Sequence, residues 1–340
     1  MILSIIIPLY NVEDHVETCI VSLLNQNLSL DEYEILVIND GSTDNSVGVV
    51  KKIMENNSNI NIINQKNCGV GSARNKGLSM ARGKYIYFID PDDYLASNVL
   101  RPLLNCIEAN DLEILTFSSL NTTQKSLIKS SLKSPKKIDI NSISGFDYIA
   151  EYGYKNEVWW YIIKKSFIDN NSFKFIEGRW MEDAIFTVNL ILNAKKIASL
   201  PIDAHRHVIV KGSAIKSREP KHYIKVIHDN ANAAKVYAGF INEIEDKENI
   251  KPDCLKRLKA RQQSFVFFLM IRALKSKMKL KEVNAILRDM TKVNAYPLHN
   301  FIGKDYNGFV NKFIKSVFNI KSFYFLIFLI LNPLLRLVKE

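Results

Sequence analysis

Tyr85-Ile86-Tyr87-Phe88-Ile89 runs without a break into Asp90-Pro91-Asp92-Asp93. Such an unbroken β-prone run has the composition of a strand buried on both faces. Proline cannot continue the hydrogen-bonded ladder, so the carboxylates fall on a turn at the strand's C-terminal end. In open α/β sheets that end faces the ligand crevice. Three acids on one turn repel each other. A hard cation, Mg²⁺ or Mn²⁺, held by one or two carboxylates and by substrate phosphates, would relieve the repulsion. Taken alone, the turn reads first as a solvated acidic cap on the helix that begins near Ser97, because Asp is common in turns. The rest of the chain reverses that preference.

Short apolar runs recur on either side. Residues 3–8 (Leu-Ser-Ile-Ile-Ile-Pro), 34–39 (Glu-Ile-Leu-Val-Ile-Asn), 59–64 and 113–117 read as strands. Residues 12–26, with Val16, Ile20, Leu23 and Leu24 at helical spacing, and residues 46–55 read as helices, and a glycine-rich turn at 68–72 opens another through Ala81. This alternation predicts βαβ units and a mostly parallel sheet, with the polar loops gathered after strand C-termini. Residues 121–145 are Ser/Lys-rich and weakly patterned, and the change of architecture is expected there. Further on, residues 158–164 form a strand-like run. Residues 197–210 suggest two short strands with His205, Arg206 and His207 between them, and beyond Pro220 the chain reads as helical and basic.

Charge separates the halves. Residues 1–120 hold 8 Lys+Arg against 15 Asp+Glu, whereas the remainder holds 38 against 20, within a net charge of +11. An acidic first half suits a metal and a substrate; a basic second half suits something anionic, either nucleic acid or the cytoplasmic face of a membrane. Cys19, Cys68, Cys106 and Cys254 are scattered without a Cys-x-x-Cys pair, which argues against a zinc site or a disulfide framework and fits a reducing compartment. The apolar N-terminus lacks the length and basic flank of a signal peptide and is read as the first strand.

Four stretches carry chemistry in combination. Pro8-Leu9-Tyr10-Asn11 offers an aromatic ring at a strand exit for stacking on a base. Asp40-Gly41-Ser42-Thr43-Asp44 offers an acceptor for a base imide, though Asp-Gly is also an ordinary turn. In Asn67-Cys68-Gly69-Val70-Gly71-Ser72-Ala73-Arg74-Asn75-Lys76-Gly77, a turn into a helix presents backbone N–H groups to phosphate, with Arg74 or Lys76 to neutralise it. The spacing is neither a dinucleotide fingerprint nor a P-loop. The acidic turn is the fourth. In their order and spacing these motifs resemble the family-2 glycosyltransferases, specifically over about residues 2–100, loosely to about 215 and weakly beyond.

That resemblance implies an α/β, GT-A nucleotide-sugar-binding fold with a mostly parallel central sheet, followed by a basic helical C-terminal extension. It implies that Pro8, Tyr10 and Asp40 line the pocket for the donor's base, usually uracil, with Asn11 also donor-binding. Arg74 would lie near base or phosphate, Asp90 and Asp92 would contact ribose and metal, and Asp93 would be a further acid and metal ligand. Asn39 departs from the family, many of whose members have a second Asp there, which loosens the base preference. Glu182-Asp183 precedes an apolar run, and acids there ordinarily cap a helix and favour its dipole. The family places its catalytic base at this point, so Asp183 is expected as base and Glu182 as alternate or positioning acid. Trp159 and Trp160, with Trp180, are candidate sugar-stacking rings, against the commoner reading of core aromatics. His207 is a candidate third metal ligand, and Lys211-Gly212-Ser213 resembles an acceptor-side loop.

The expected organisation is a GT-A domain over 1–215 (nucleotide-sugar half 1–120, acceptor half 121–215), a basic helical extension over 216–316 and an apolar tail over 317–340. The tail is interrupted by Lys321, Asn332, Pro333 and Arg336, which favours an interfacial segment over a spanning helix, with a buried C-terminal helix as the alternative. The resulting expectation is an inverting transferase at the cytoplasmic face of the inner membrane. It would move a sugar from a UDP-linked donor to a glycan or lipid-linked glycan in surface polysaccharide assembly. A metal-dependent nucleotidyltransferase and an inactive glycan-binding module are the competing readings. Nucleic acid is not expected as a partner, since the basic residues sit in helical, apolar-rich segments without a recognisable module.

Overall fold

The computed structural model describes residues 1–130, 140–209, 219–247, 250–301 and 308–337. Lys211-Gly212-Ser213 lies outside the described residues. The chain divides into two compact units, Met1–Tyr148 with Lys155–Lys211, and Ile149–Tyr154 with Gly212–Glu340. The change of architecture therefore comes near residue 211 rather than within 121–145, because strands beyond 145 return to the same sheet.

In the first unit, β1 (Leu3–Leu9), α1 (Val16–Leu24), β2 (Tyr33–Asn39), α2 (Ser46–Met54), β3 (Ile60–Asn64), α3 (Val70–Met80) and β4 (Tyr85–Phe88) alternate. After them come β5 (Tyr94–Leu95), α4 (Leu100–Ala109), β6 (Ile114–Thr122), α5 (Gly145–Tyr152, whose second half from Ile149 belongs to the second unit), β7 (Tyr161–Lys164), α6 (Lys165–Asn170), α7 (Glu182–Asn193) and β8 (Ile197–Val208). The sheet order is β3-β2-β1-β4-β7-β6-β8-β5. β1 pairs parallel with β2 and β4, β2 with β3, and β6 with β8; β7 runs antiparallel to β4 and β6, and β5 to β8. Every residue of β1, β2 and β4 is buried, as their unbroken apolar runs require.

Connections leave β1 toward β2 on one side while β4 lies on the other, so a crevice opens at the C-terminal ends of β1, β2 and β4. Pro8 fits inside β1 for a local reason. Ile6 O accepts from Ile89 N on the β4 side and Leu9 O accepts from Asp40 N on the β2 side, so the alternation turns Pro8 toward β4. The β1–β4 ladder has already ended at Ile6 and Phe88, and no donor is missed. Residues 197–208 are one strand, not two: register shifts around Ser118 let β8 stay paired with β6 while its far end meets β5. His205, Arg206 and His207 therefore lie within a strand rather than on a turn.

The second unit holds α8 (Pro220–Glu245), α9 (Pro252–Leu274), α10 (Leu280–Lys292), α11 (Phe309–Asn319) and α12 (Lys321–Leu337). α8 and α9 each open with proline, whose missing N–H costs nothing in a first turn. Buried Gln263 ties the loop after α10: its Oε1 accepts from Asn300 N and Phe301 N, and its Nε2 donates to Pro297 O. α12 belongs to this unit through buried Tyr324, Phe328 and Asn332. No single helix among the described residues is long and apolar enough to cross a membrane; α11 with Lys321–Leu335 reaches that length only as a pair bent by 104°.

Candidate active site

The loops leaving β1 and β2 are stitched together. Asn11, at φ 51°, accepts through Oδ1 from Thr43 N at 2.8 Å, and its own N donates to Ser42 Oγ. Tyr10 beside it is 47% exposed, with its ring available at the strand exit. Asp40 is buried, and its carboxylate accepts Cys68 N and Gln65 Nε2 on Oδ1 and Gly69 N on Oδ2, each at 2.8 Å. Two N–H groups of the glycine-rich turn, expected to face phosphate, are thus already donated to an internal carboxylate. Asn39 accepts Ser42 N and donates to Asn64 Oδ1. An aspartate there could not donate to Asn64, which gives the departure from the family a structural use.

Arg74 is the centre of the next group. Its Nη1 meets Glu182 Oε1 and its Nη2 meets Asp90 Oδ1, both at 2.9 Å, with the guanidinium 5.4 Å over the Phe175 ring. Arg74 and Glu182 are buried, whereas 30% of the Asp90 side chain is accessible. One cation thereby joins the exit of β4 to the first turn of α7. Burial pushes the Glu182 carboxyl up even though Arg74 pulls it down. Burial and then the Glu182 charge push Asp183 well above the ordinary carboxylate range, against Arg74 and the N–H of Ala184. Asp183, only partly accessible, is thus a carboxylate that holds its proton more firmly than usual, next in the chain to the Arg74-bound Glu182.

The turn into α7 is built under constraint. Met181 sits at φ 67°, a left-handed conformation costly for an unbranched long side chain and typical of over-determined sites. Gly71 faces this loop: a Cβ there would stand 2.7 Å from Ile176 O and 3.4 Å from Glu182 Cγ. The short residue is what lets α3 carry Arg74 up to the acid pair.

A third group gathers around Asp93. Its buried carboxylate accepts Val208 N at 2.8 Å on Oδ1 and lies 3.2 Å from His207 Nδ1. His205 Nε2 approaches Oδ2 at 3.2 Å, but at an angle short of a hydrogen bond, while its Nδ1 pairs with Ser119 Oγ at 3.0 Å. Burial would raise Asp93, but these contacts outweigh it and hold the carboxyl below its usual value. The His207 hydrogen bond to Asp93 raises that imidazole, whereas burial lowers His205. Asp92 is the opposite case: burial, then the charges of Asp90 and Asp93, push its carboxyl up to about 7.

Several expected residues take other roles. Asp93, expected as a metal ligand, is wholly buried and committed to the histidines and Val208 N. Trp159 and Trp160, expected to stack on acceptor, are 5% and 4% exposed. Trp159 stacks on His205, ring centres 4.2 Å apart, and on His207, and Trp160 packs on Tyr148 and Tyr161. The two rings sit just before β7, and Trp160 Nε1 donates to Glu157 O rather than toward a ligand. His205 and Ser119 went unrecognised in the sequence. For His205 the signal was its i, i+2 spacing from His207, which puts both on one face of a strand; Ser119, on the neighbouring β6, carried none. A cavity of about 500 Å³ beside Ser97, Val99, Ile128 and Ile202 contains none of these residues.

Among the described residues no group of three or more His, Cys, Asp or Glu side chains stands ready to enclose a metal. The donors nevertheless fit a hard divalent ion shared with substrate oxygens. Asp92 carries an uncompensated charge in a crowded acidic turn, and the Asp93 contact at Nδ1 of His207 leaves Nε2 for a ligand.

The parallel half-sheet, with its acids and arginine at the strand ends, defines an α/β nucleotide-sugar enzyme of the GT-A type. Crystal structures of S. aureus TarS share this fold, with TM-score 0.69 and 21% identity over 95% of this chain and 89% of that one, and TarS has also been crystallised with UDP. A mannosyltransferase from Pyrobaculum calidifontis, crystallised with GDP-Man and Mn²⁺, is similar at TM-score 0.54 and 12% identity, covering 94% of this chain and 87% of that one. Residues 4–173 match the model of glycosyl transferase family 2, and the chain belongs to that family of enzymes. The glycosyltransferase YibD of Escherichia coli is 29% identical over 66% of this chain and 68% of its own length. The poly(ribitol-phosphate) beta-glucosyltransferase of Bacillus spizizenii is 28% identical over 74% of this chain, which spans 39% of that protein.

Proposed function

We propose that this glycosyltransferase moves a sugar from a UDP-linked donor to a glycan or lipid-linked glycan acceptor, with inversion at the anomeric carbon. The setting is assembly of a surface polysaccharide or teichoic acid at the cytoplasmic face of the inner membrane. The observation that supports this reading most directly is the Arg74 bridge, which joins Asp90 on the acidic turn to Glu182, the residue before Asp183. The similarity to UDP-bound TarS and to a poly(ribitol-phosphate) glucosyltransferase supports the donor and the acceptor class.

Tyr10 stacks on the base, with its loop held by Asn11, and Pro8 shapes the exit. Asp40 fixes the 65–69 loop beneath the nucleotide, and Asp90 takes the ribose while held by Arg74. Asp92 and His207 Nε2 would hold Mg²⁺ or Mn²⁺, which when bound supplies positive charge for the departing diphosphate. Asp183 accepts the proton of the acceptor hydroxyl as that oxygen bonds to the anomeric carbon, and the carbon–oxygen bond to the diphosphate breaks with its electron pair leaving on UDP. Glu182, paired with Arg74, adds its charge to the burial that keeps the neighbouring Asp183 carboxyl raised.

A panel of nucleotide sugars with either metal, read by nucleoside diphosphate release and by NMR of the product anomer, tests this. Asp183→Asn is expected to lower kcat by about 10²–10⁴ with little change in donor KM. Pyrophosphate release from a nucleoside triphosphate, or full activity in the Asn variant, would overturn it.

A further inference from the structure

We propose that the elbow of α11 and α12 is a docking surface that lies in the interface of an anionic lipid bilayer. This deepens the membrane-side reading above but stands on the helical unit by itself. α12 is apolar on nearly every side, yet only one stripe of it is covered. Tyr324, Phe328 and Asn332, at i, i+4 and i+8, are buried. Tyr324 OH donates to Met270 O at 3.0 Å, and Asn332 Nδ2 donates to Leu274 O at 3.0 Å and Ser276 O at 2.8 Å, closing the carbonyl end of α9. The asparagine that seemed to interrupt an apolar tail is therefore the peg that fixes the helix to its own unit.

The other faces are open. Leu326, Leu329, Ile330 and Leu334 are 51–58% exposed, and on α11 Phe309 and Phe313 are 84% and 63% exposed. A contiguous apolar surface of this kind marks an interaction site. Its charges choose the partner: residues 309–337 contain no Asp or Glu, and their cations are Lys312, Lys315, Lys321 and Arg336. A second copy packed by two-fold symmetry would bring those lysines together with no acid between them. A bilayer with anionic headgroups takes the apolar face into its acyl boundary and the ammonium groups at its surface. The 104° bend and the anchored stripe suit an element lying in the interface rather than one crossing it.

Co-sedimentation of the full chain with vesicles of phosphatidylcholine, with and without phosphatidylglycerol, tests this. Wild type is expected to bind the anionic vesicles and to weaken with salt. Leu326→Gln/Leu329→Gln/Ile330→Gln, which leaves the anchored stripe intact, is expected to lower partitioning about tenfold or more. A separate Phe309→Ser/Phe313→Ser variant on α11 repeats the test on the other arm. Donor-dependent nucleoside diphosphate release in solution should stay at the wild-type level in both, so a failure of the sugar-transfer reading shows separately. Wild type that ignores anionic vesicles, variants that bind them unchanged, or a solution dimer dispersed by the variants without vesicle binding would each overturn the proposal.

Discussion

Replacing Arg74 by methionine keeps most of the buried volume and removes the one cation shared by Asp90 and Glu182. Both ion pairs are 2.9 Å long, and the Glu182 pair is nearly dry, with 6% and 7% of the two side chains accessible. Breaking a buried pair from one side costs about 3–5 kcal/mol, because the remaining charge keeps its desolvation penalty. The partial exposure of Asp90 places the expectation near the lower end, about 3 kcal/mol at pH 8. The loss should depend on pH in a definite direction. Glu182 and Asp183 are already raised in the folded protein, so their contribution to stability is present below the unfolded carboxylate range and is lost as pH rises through their folded values. Without Arg74 both rise further, and at pH 5 protonation relieves the repulsion, leaving a deficit of about 1 kcal/mol. All three tryptophans lie in the first unit, so guanidinium unfolding followed by their fluorescence reads this site's unit directly. An equal deficit at both pH values, or one under about 1 kcal/mol at pH 8, would refute the claim that this guanidinium holds the acids together.

Asp92→Asn should abolish the rise in thermal midpoint that Mn²⁺ with UDP gives the wild type. In the wild type that rise should grow from about pH 6 to pH 8, because protonation of a carboxyl at about 7 competes with the ion. For Gly71→Ala, a loss of about 1–3 kcal/mol is expected from unfolding curves, with a larger fall in kcat than in donor affinity, since the new methyl presses on Ile176 O beside the acid pair. Asp40→Asn turns one acceptor into a donor facing the N–H groups of the 65–69 loop. A destabilisation of about 1–3 kcal/mol with weaker UDP binding by calorimetry is expected, and wild-type stability would remove Asp40 from its role in fixing that loop.

Much of the fold was legible because its signals are local. The runs at 3–8 and 34–39 are short, apolar and closed by turn residues, and each became a fully buried strand. Residues 197–210 misled because a polar His-Arg-His triplet looks like a turn. Within β8 the two histidines face Asp93 while Arg206 turns to the other side and donates to Leu127 O and Lys129 O. Trp159 and Trp160 misled in the opposite sense, since an aromatic pair offers the same letters to a sugar or to a core.

From residues alone came the alternation of strands and helices, the acidic turn at the end of β4 and the acids that open α7. Each rests on periodicity or turn chemistry within a few neighbours. Which charge meets which was decided only in three dimensions. Arg74 stands between acids from two distant segments, Asp93 is spent on histidines, and Asp92 is left with its charge uncompensated. Strand order and side-chain direction set those encounters, and neither is written in any single stretch of the chain.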